Sequence, residues 1–427
     1  MLMVFIVFIV LLFIGVPVGF SVLIGGAMFF FQNSDTLFTT IIQLPVTQTQ
    51  NVTLLAVPLF ILAGNLMNVS GITGRLIKLS MAITGHMRGG LAQVSVVLST
   101  LMGGVSGSAN ADAAMEARVL GPDMLKQGYP KGYTACVIAF TSIITATIPP
   151  GVSMIMFGTV GNVSIGRLFT AGLIVGIAMM FLYMLLVAAT ARIYGFKAVT
   201  DKRPAFSTII PILKETIWAI IFPVLLLVGI RIGLFTPSEV GAFACVYALL
   251  IGFFIYREIT LSKLIETLKQ SVVDIGAIMF MISMSGVFGY GIPIEKLPQK
   301  ITLFISGITA SPYIVMALIV LFLSLAGMFM EGSIIILLTT PILLPLIQSF
   351  GIDPIVFGLI LCTVVTMGNM TPPVGLAMYT VCGILDCPLE KYVKACIPFV
   401  LVVIIEAALF TLFPKIVLFL PDLIYGR

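Results

Sequence analysis

The first 31 residues of the chain contain no charged side chain. Similar apolar stretches recur along all 427 residues, of which 60% are hydrophobic and only 9% are charged. A soluble fold has too little interior for so much apolar surface, whereas a helix that crosses a membrane needs about 20 mostly apolar residues in a row. The short alternating segments of a transmembrane β-barrel do not occur. The sequence therefore predicts an all-α polytopic membrane protein.

The apolar segment Leu2–Phe31 has no preceding basic residues, which a cleavable signal peptide would have. We therefore predict that it is retained as a single first transmembrane helix. Lys and Arg are densest between Arg192 and Lys214. Because such an excess marks cytoplasmic loops, counting spans from there places the N-terminus in the cytoplasm and the C-terminus outside. The charges thus report topology, and no nucleic-acid partner is expected.

A run of small and polar residues, SGSANADAA at Ser106–Ala114, interrupts the apolar pattern. Irregular backbone survives at membrane depth only where it is buried in protein or lines a water-filled cavity. The apolar segments on either side are too short to cross a bilayer. We therefore predict a re-entrant helical hairpin over residues 91–127, with a tip that meets a solute or an ion. A second polar tip, MFMEGS at Met328–Ser333, predicts a second hairpin over residues 312–350.

Each predicted hairpin is followed by a long apolar helix with two adjacent prolines in its middle. Pro149–Pro150 interrupts residues 131–161, and Pro372–Pro373 interrupts residues 354–381. Proline removes a backbone donor and clashes with the preceding turn, so two in a row should unwind the helix locally. A shift of 223 residues places the first Pro-Pro pair on the second and one hairpin on the other. The sequence therefore predicts two structural repeats.

The charges around the two hairpins differ. Lys and Arg flank the first hairpin and are absent from the near flanks of the second. The first should therefore enter from the cytoplasm and the second from outside, so that the repeats are inverted. Inverted repeats with broken helices are typical of secondary transporters. We predict six consecutive parts. The first three are scaffold helices (residues 1–90), the first half of a transport domain (91–165) and a scaffold helix with a basic cytoplasmic loop (166–214). The last three are further scaffold helices (215–311), the second half of the transport domain (312–388) and a C-terminal helix (389–427).

Polar residues at the two tips and the two breaks are the candidate ligands. Helix N-termini offer partial positive charge to a carboxylate, and unwound carbonyls offer hard oxygen ligands to sodium. These features favour a small anion carried with sodium, in two pseudo-symmetric ion sites. The candidates are Ser106, Ser108, Asn110, Thr145 and Thr147 on one side, and Gly332, Ser333, Gly368, Asn369 and Thr371 on the other.

Several acidic residues lie within apolar segments, where a charge is costly. Glu331 at the second tip has no basic residue within its hairpin, so we predict an ion ligand or a gate residue, with an N-cap of the following arm as the alternative. Asp112 is expected to cap its arm, with an ion ligand as the alternative. Glu116 and Arg118 are interpreted as an interfacial pair, and Glu239 as a structural helix cap.

Five segments occur in order along the chain: VPLFILAGNLMNVSGI, GGVSGSANADAA, the IPPG break, LFTPSEVGAFACVYAL and GNMTPPVGLAMY. Together they resemble the large membrane subunit of TRAP (tripartite ATP-independent periplasmic) transporters, essentially from end to end and most of all the sialic-acid type. The resemblance implies sodium-driven uptake of sialic acid or a C4-dicarboxylate-like organic acid across the bacterial inner membrane. It also implies an elevator mechanism, in which the hairpins and broken helices slide against a scaffold.

The resemblance further implies two partners, a periplasmic substrate-binding protein and a small four-helix membrane subunit, and two or more Na⁺ ions. No P-loop is present, so ATP is not expected as the direct energy source. No organic cofactor is expected either. By motif, sodium ligands would come from Ser106, Gly107, Thr145, Pro149, Gly327, Gly332, Ser333, Gly368, Met370 and Thr371. Residues near the substrate would be Ser108, Ser153, Glu331, Asn110 and Thr147. The chain has Gly151 where family members often have Ser, and Glu331 where they often have Asp.

Three other functions fit parts of the pattern. A passive channel would not need paired inverted hairpins, although the pattern alone does not exclude it. A stand-alone sodium/anion symporter of related architecture would share the hairpins and broken helices. The GVSG sequence at Gly104–Gly107 also fits the Gly-x-Ser-Gly of rhomboid intramembrane proteases, with Ser106 as the nucleophile. That chemistry needs a base within hydrogen-bond reach, and the single histidine, His86, lies in a charged surface segment. We therefore expect a transporter and no enzyme activity.

Overall fold

The computed structural model describes residues 1–33, 38–200 and 203–426. Every regular element within these ranges is a helix. Eight of the described helices are long and apolar enough to cross a membrane, or nine if the bent pair on either side of Pro149–Pro150 counts as one span. The fold class predicted from the sequence is therefore confirmed.

The first half of the chain contains eleven helices in order: α1 Leu2–Phe13, α2 Val18–Gln32, α3 Thr39–Thr49, α4 Ala56–Val69, α5 Ile72–Thr84, α6 Gly90–Gly103, α7 Ala109–Val119, α8 Gly121–Lys126, α9 Lys131–Thr147, α10 Val152–Val160 and α11 Ile165–Tyr194. The second half contains α12 Phe206–Arg231, α13 Pro237–Leu250, α14 Leu261–Ile294, α15 Leu297–Ile308, α16 Pro312–Phe329, α17 Gly332–Ser349, α18 Pro354–Asn369, α19 Leu376–Ile384, α20 Leu389–Leu412 and α21 Pro414–Tyr425. A short 3-10 turn, Val52–Leu55, leads into α4, and a π turn, Ile251–Ile255, extends α13.

Helices of the two halves correspond at the predicted offset. Adding 223 to the first residue numbers of α6, α7, α9, α10 and α11 gives the first residues of α16, α17, α18, α19 and α20, to within one residue. The second set comprises the hairpin helices, the broken helix and the helix that follows it. The broken helices are antiparallel. Lys131 Nζ, where α9 begins, lies 3.1 Å from Asp386 Oδ2, just beyond α19. The ring of Phe157 in α10 packs on Phe357 in α18, with centroids 5.9 Å apart. Opposite directions are what inverted copies would produce.

The prediction of a single helix over Leu2–Phe31 is wrong. The chain turns between α1 and α2 at Gly15, whose φ is +89°. Helix α2 then folds back against α1, so closely that a Cβ on Gly25 would lie 3.1 Å from Phe8 Cβ. Gly15 supplies the left-handed conformation, and a proline follows two residues later, where α2 begins. Both helices are uniformly apolar, so hydropathy alone does not separate them. The first 32 residues therefore form a short helical hairpin.

Most of the described Lys and Arg residues lie on one face of the molecule, called here the basic face. They are Arg75, Lys78, Arg88, Arg118, Lys126, Lys131, Arg192, Lys197, Arg203, Lys214, Arg257, Lys263, Lys269, Lys391 and Lys394. The predicted loop between Arg192 and Lys214 is part of this face, although α12 already begins at Phe206. Asp201 and Lys202 of that loop lie outside the described residues.

Both chain ends lie on the opposite face. The Met1 amino nitrogen is 3.5 Å from Glu295 Oε1, where α14 ends. Near the other end, Asp422 Oδ1 in α21 lies 2.6 Å from Arg167 Nη2, where α11 begins. The prediction of termini on opposite faces is therefore wrong, because a hairpin that returns to its own face replaces the single first span.

Three further boundaries differ from the predicted ones. The connector predicted at Gln32–Gln50 contains α3, and its residues 34–37 lie outside the described ranges. The helix predicted at Leu389–Leu420 ends at Leu412, because Pro414 starts a new helix. The short surface helix predicted at Ile301–Ser306 is part of the longer α15. None of these differences moves a hairpin or a broken helix.

The start of α13 carries the predicted structural cap. Thr236 Oγ1 accepts a hydrogen bond from Glu239 N at 3.4 Å, and Glu239 Oε2 accepts one from Thr236 N at 2.7 Å. We expect Glu239→Ala to lower the free energy of unfolding by about 1 kcal/mol, since it removes half of a capping box. Thermal unfolding in detergent measures this. The exposed Glu266→Ala is the control, and equal losses in the two variants would contradict the cap.

Candidate functional site

The first hairpin tip touches the first broken helix. α6 ends at Gly103, and the Ser108 hydroxyl caps α7 by accepting from Ala111 N at 3.5 Å. Gly107 has φ +60°, and a Cβ there would lie 2.2 Å from the Pro150 carbonyl oxygen. The tip backbone therefore lies against the unwound segment between α9 and α10.

The second tip touches the second break in the same way. Glu331 caps α17, because its carboxylate accepts from Ser333 N at 3.1 Å and from Ser333 Oγ at 3.0 Å. A Cβ on Gly368, near the end of α18, would lie 2.3 Å from the Gly327 carbonyl carbon of α16. Val374 N, inside the break, donates to Met328 O at 3.2 Å. Backbone contacts therefore hold each tip against its break.

One cavity of about 410 Å³ lies where the tips and breaks meet. The lining residues include Ser106–Ala111, Ser153, Glu331–Ser333 and Asn369. Helices α7, α10 and α17 begin at this wall, and helix N-termini carry partial positive charge and free N–H groups. No Lys or Arg is among the described residues that line the cavity. A bound carboxylate would therefore depend on these N-termini and on amides and hydroxyls.

The structure places the predicted site residues in two groups. Those that line the cavity are Ser106, Gly107, Ser108, Asn110, Ser153, Glu331, Gly332, Ser333 and Asn369. Those that lie behind its wall, in or beside the breaks, are Thr145, Thr147, Pro149, Gly327, Gly368, Met370 and Thr371. Within the second group, the Thr371 hydroxyl donates to Met367 O at 2.7 Å, and Met370 O accepts from the Tyr392 hydroxyl at 2.6 Å.

Two predictions about the first hairpin are wrong. Asp112 is not the cap of α7, since Ser108 occupies that position; Asp112 is buried, and its Oδ2 accepts from Thr145 Oγ1 at 2.6 Å. Glu116 is not paired with the exposed Arg118. It is fully buried and accepts hydrogen bonds from the hydroxyls of Ser95 and Ser99. Asp112 and Glu116 are four residues apart, which places both on the helix face that packs inward.

The opposite wall of the cavity comes from α4 and α14, which were not predicted to be part of the site. Asn65 Nδ2 donates to Ser271 Oγ and to Asp274 Oδ2, both at 3.0 Å, and Gln270 Nε2 donates to Asp274 Oδ1 at 2.8 Å. Asn65, Asn68 and Asp274 line the cavity. Asp274 is the sequence signal from which this wall could be predicted, because it places a carboxylate within the apolar α14 and charges in membrane helices are usually functional.

The cavity continues toward the basic face. Two neighbouring cavities, of about 540 Å³ and 590 Å³, share Asn68 with it. The first extends to Arg75, Lys78 and Glu258, and both reach Lys263. The site therefore has a polar route to the basic face in this conformation.

Asn65 organises the wall formed by α4 and α14. We expect Asn65→Ala to lower the free energy of unfolding by about 1–3 kcal/mol, because it removes two hydrogen bonds and leaves Asp274 partly unsatisfied. Chemical unfolding in detergent measures the change. Asn68→Ala is the matched control: Asn68 lies three residues later on the same helix and accepts a single 3.5 Å hydrogen bond from Thr73. A loss as large in the control would contradict the role of Asn65.

Comparison with known proteins identifies the chain's relatives. Residues 5–416 match the model of the family described as tripartite ATP-independent periplasmic transporter, DctM component. The chain is 34% identical over 408 residues to a putative TRAP transporter large permease protein of Haemophilus influenzae, covering 95% of each chain. It is 34% identical over 418 residues to the sialic acid TRAP transporter large permease protein SiaM of Vibrio cholerae, covering 97% of each. The C4-dicarboxylate TRAP transporter large permease protein DctM of Pseudomonas aeruginosa is 31% identical over 374 residues, covering 88% of this chain and 87% of that protein.

The fold also resembles a solved structure. The crystal structure of the YdaH transporter of Alcanivorax borkumensis superposes with a TM-score of 0.62 at 13% sequence identity, covering 85% of this chain and 84% of that chain. At this identity the likeness concerns the fold alone.

Proposed function

Because the chain belongs to the family of DctM components of tripartite ATP-independent periplasmic transporters, we propose that it moves an organic carboxylate across the bacterial inner membrane together with sodium. The family takes up solutes by way of a periplasmic binding protein, and its members are transporter permeases rather than enzymes. The protease alternative built on Ser106 is therefore set aside. The proposed partners of this chain are a periplasmic binding protein and a small four-helix membrane subunit.

The observation that carries the proposal is the cavity between the two tips and the two breaks. Three helices begin at its wall, and the wall contains two carboxylates, Glu331 and Asp274, without a lysine or arginine among its described residues. A solute carboxylate adds a further negative charge to this space. Sodium bound alongside the solute would offset that charge, which supports coupled binding of anion and cation.

We place the sodium ions where each tip meets its break. Ser106 and Gly107 supply a hydroxyl and carbonyls on the first side, and Gly332 and Ser333 do so on the second. Carbonyls of the breaks behind the wall, such as those of Pro149 and Gly368, complete oxygen-rich surroundings of the kind that hard cations favour. The pseudo-symmetry of the tips supports at least two ions. Ser108, Asn110 and Ser153 then remain for the solute.

The proposed orientation puts the basic face in the cytoplasm, because Lys and Arg are in excess there. Both chain ends would then be periplasmic, which reverses the location predicted for the N-terminus. The polar route past Asn68 and Lys263 would lead to the cytoplasm, so this conformation would release solute inward. In the proposed elevator motion, the tips and breaks carry the cavity past the wall formed by α4 and α14.

Sequence identity to the relatives does not identify the solute of this chain. The relative named for sialic acid is 34% identical to it, and the relative named for C4-dicarboxylates is 31% identical. We propose a carboxylate solute with sialic acid as the first candidate. The test is uptake into proteoliposomes by the two membrane subunits with the cognate binding protein, using radiolabelled sialic acid and succinate. Omitting the binding protein should abolish uptake. Full uptake by this chain alone would instead support a stand-alone symporter.

A further inference from the structure

α20 carries a carboxyl group that the transport site does not use. Glu406 is 1% exposed, and it lies in a helix apolar enough to cross the membrane, Leu389–Leu412. Neither of its two carboxyl oxygens has a hydrogen-bond partner in the described part of the chain, and no described Lys, Arg or His pairs with it. Glu406 lies about 26 Å along the helix from Leu389, at 1.5 Å per residue. It is therefore enclosed by protein at membrane depth.

A second buried polar group, Tyr183, lies on α11, which packs against α20. Tyr183 is fully buried, and its hydroxyl also lacks a partner among the described residues. Its ring packs on Phe399 of α20, with centroids 6.2 Å apart. The 223-residue offset between the repeats takes residue 183 to residue 406. The two groups therefore occupy equivalent positions in the two repeats.

The other titratable groups on helices packed against α20 are engaged elsewhere or exposed. Lys131 of α9 pairs with Asp386, the Tyr133 hydroxyl contacts Thr190, and Arg167 of α11 pairs with Asp422 of α21. Some of the remaining groups are thiols and phenols, which are neutral at pH 7: Cys136, Cys362, Cys396, Tyr392 and Tyr425. The others are exposed side chains: Arg192, Tyr194, Tyr313, Glu390, Lys391, Lys394 and Lys415. No described cation therefore compensates a charge on Glu406.

An ionised carboxylate in such surroundings would lose its hydration and gain no partner. Transfer of an unpaired charge into a protein interior is so costly that the group takes up a proton instead. We propose that Glu406 is a proton-binding site within α20, whose ligand is a single proton held at neutral pH. The neutral carboxylic acid keeps the contact between α11 and α20 free of charge.

A bound proton makes stability depend on pH in a defined direction. The unfolded chain releases the Glu406 proton at about pH 4.3, the ordinary value for glutamic acid, while the folded protein retains it. Raising the pH above that value therefore favours the unfolded state through this residue. Glu406→Gln keeps a neutral side chain of the same shape in both states, so it removes this contribution.

The experiment uses the full-length protein in detergent with its membrane partner. Infrared spectra at neutral pH should show the carbonyl band of a protonated carboxylic acid, and Glu406→Gln should lose that band. The thermal midpoint of the wild type should fall relative to Glu406→Gln as the pH rises from about 6 to about 9. Glu390→Gln, an exposed residue in the first turn of the same helix, should leave the band and the midpoints unchanged.

If Glu406→Gln is poorly expressed, Glu406→Asp takes its place. A band that comes from residue 406 should shift in frequency in that variant, whereas a band from another buried acid, such as Glu116, should not move. A wild type without the band, a Glu406→Gln variant that keeps it, or midpoints that stay parallel across the pH range would overturn the proposal.

Discussion

Replacing Gly368 with alanine is expected to reduce solute uptake by about 100-fold, the scale of loss that a misplacement of about 1 Å produces at a site. The added Cβ would lie 2.3 Å from the carbonyl carbon and 2.4 Å from the Cα of Gly327. These are backbone atoms, so no side-chain rotation relieves the clash. The second tip and its break would have to separate, and the proposed ion ligands on both would move with them. Uptake at equal protein content in proteoliposomes measures the effect.

The control for Gly368→Ala is another glycine of the same broken helix. A Cβ on Gly383, in α19, would have no heavy atom within 4 Å. Gly383→Ala should therefore transport at the wild-type rate. If both variants transport equally well, the contact between tip and break is not needed for transport.

Removing the Glu331 side chain is the second large effect that we expect. Glu331 combines two roles in the structure, since it caps α17 through Ser333 and it lines the cavity. Glu331→Ala loses both the cap, worth about 1 kcal/mol, and the negative charge beside the proposed cation. We expect uptake to fall at least about tenfold, which corresponds to about 1.4 kcal/mol.

Glu331→Gln separates these two roles. Its amide oxygen can still accept from Ser333, so thermal stability should stay close to that of the wild type. The charge is lost, so the sodium concentration that gives half-maximal uptake should rise. Asp123→Ala, a change at an exposed residue of α8 whose carboxylate pairs with Lys126, should alter neither quantity. Unchanged sodium dependence in both Glu331 variants would remove this residue from the ion site.

The parts of the fold that were predictable have local signals. The small-residue run from Ser106 and the two Pro-Pro pairs each break an apolar pattern at a defined point, and the structure breaks its helices there. Gly15 and Pro414 lie in equally apolar surroundings, where a turn leaves hydropathy unchanged. Hydropathy therefore predicts one helix where the structure has α1 and α2, and one helix where it has α20 and α21. The single helix predicted in place of α1 and α2 also led to the wrong relation between the chain ends.

Some residues of the candidate site can likewise be predicted from the sequence, and others cannot. Polar residues of the irregular segments, such as Ser108 and Glu331, were predictable because nothing else explains them at membrane depth. Asn65 and Asp274 lie inside regular helices, where only the packing of α4 against α14 decides whether a polar side chain meets the cavity. Glu116 was misassigned because its partners come from α6, 17 and 21 residues earlier in the chain.

The central claim is that the two tips and two breaks bind solute and sodium together. The most direct measurement is uptake of labelled solute into proteoliposomes that contain both membrane subunits, with saturated binding protein outside and sodium or potassium as the only cation gradient. We expect accumulation with an inward sodium gradient and none when potassium replaces sodium. Equal uptake under both gradients would contradict sodium coupling at this site.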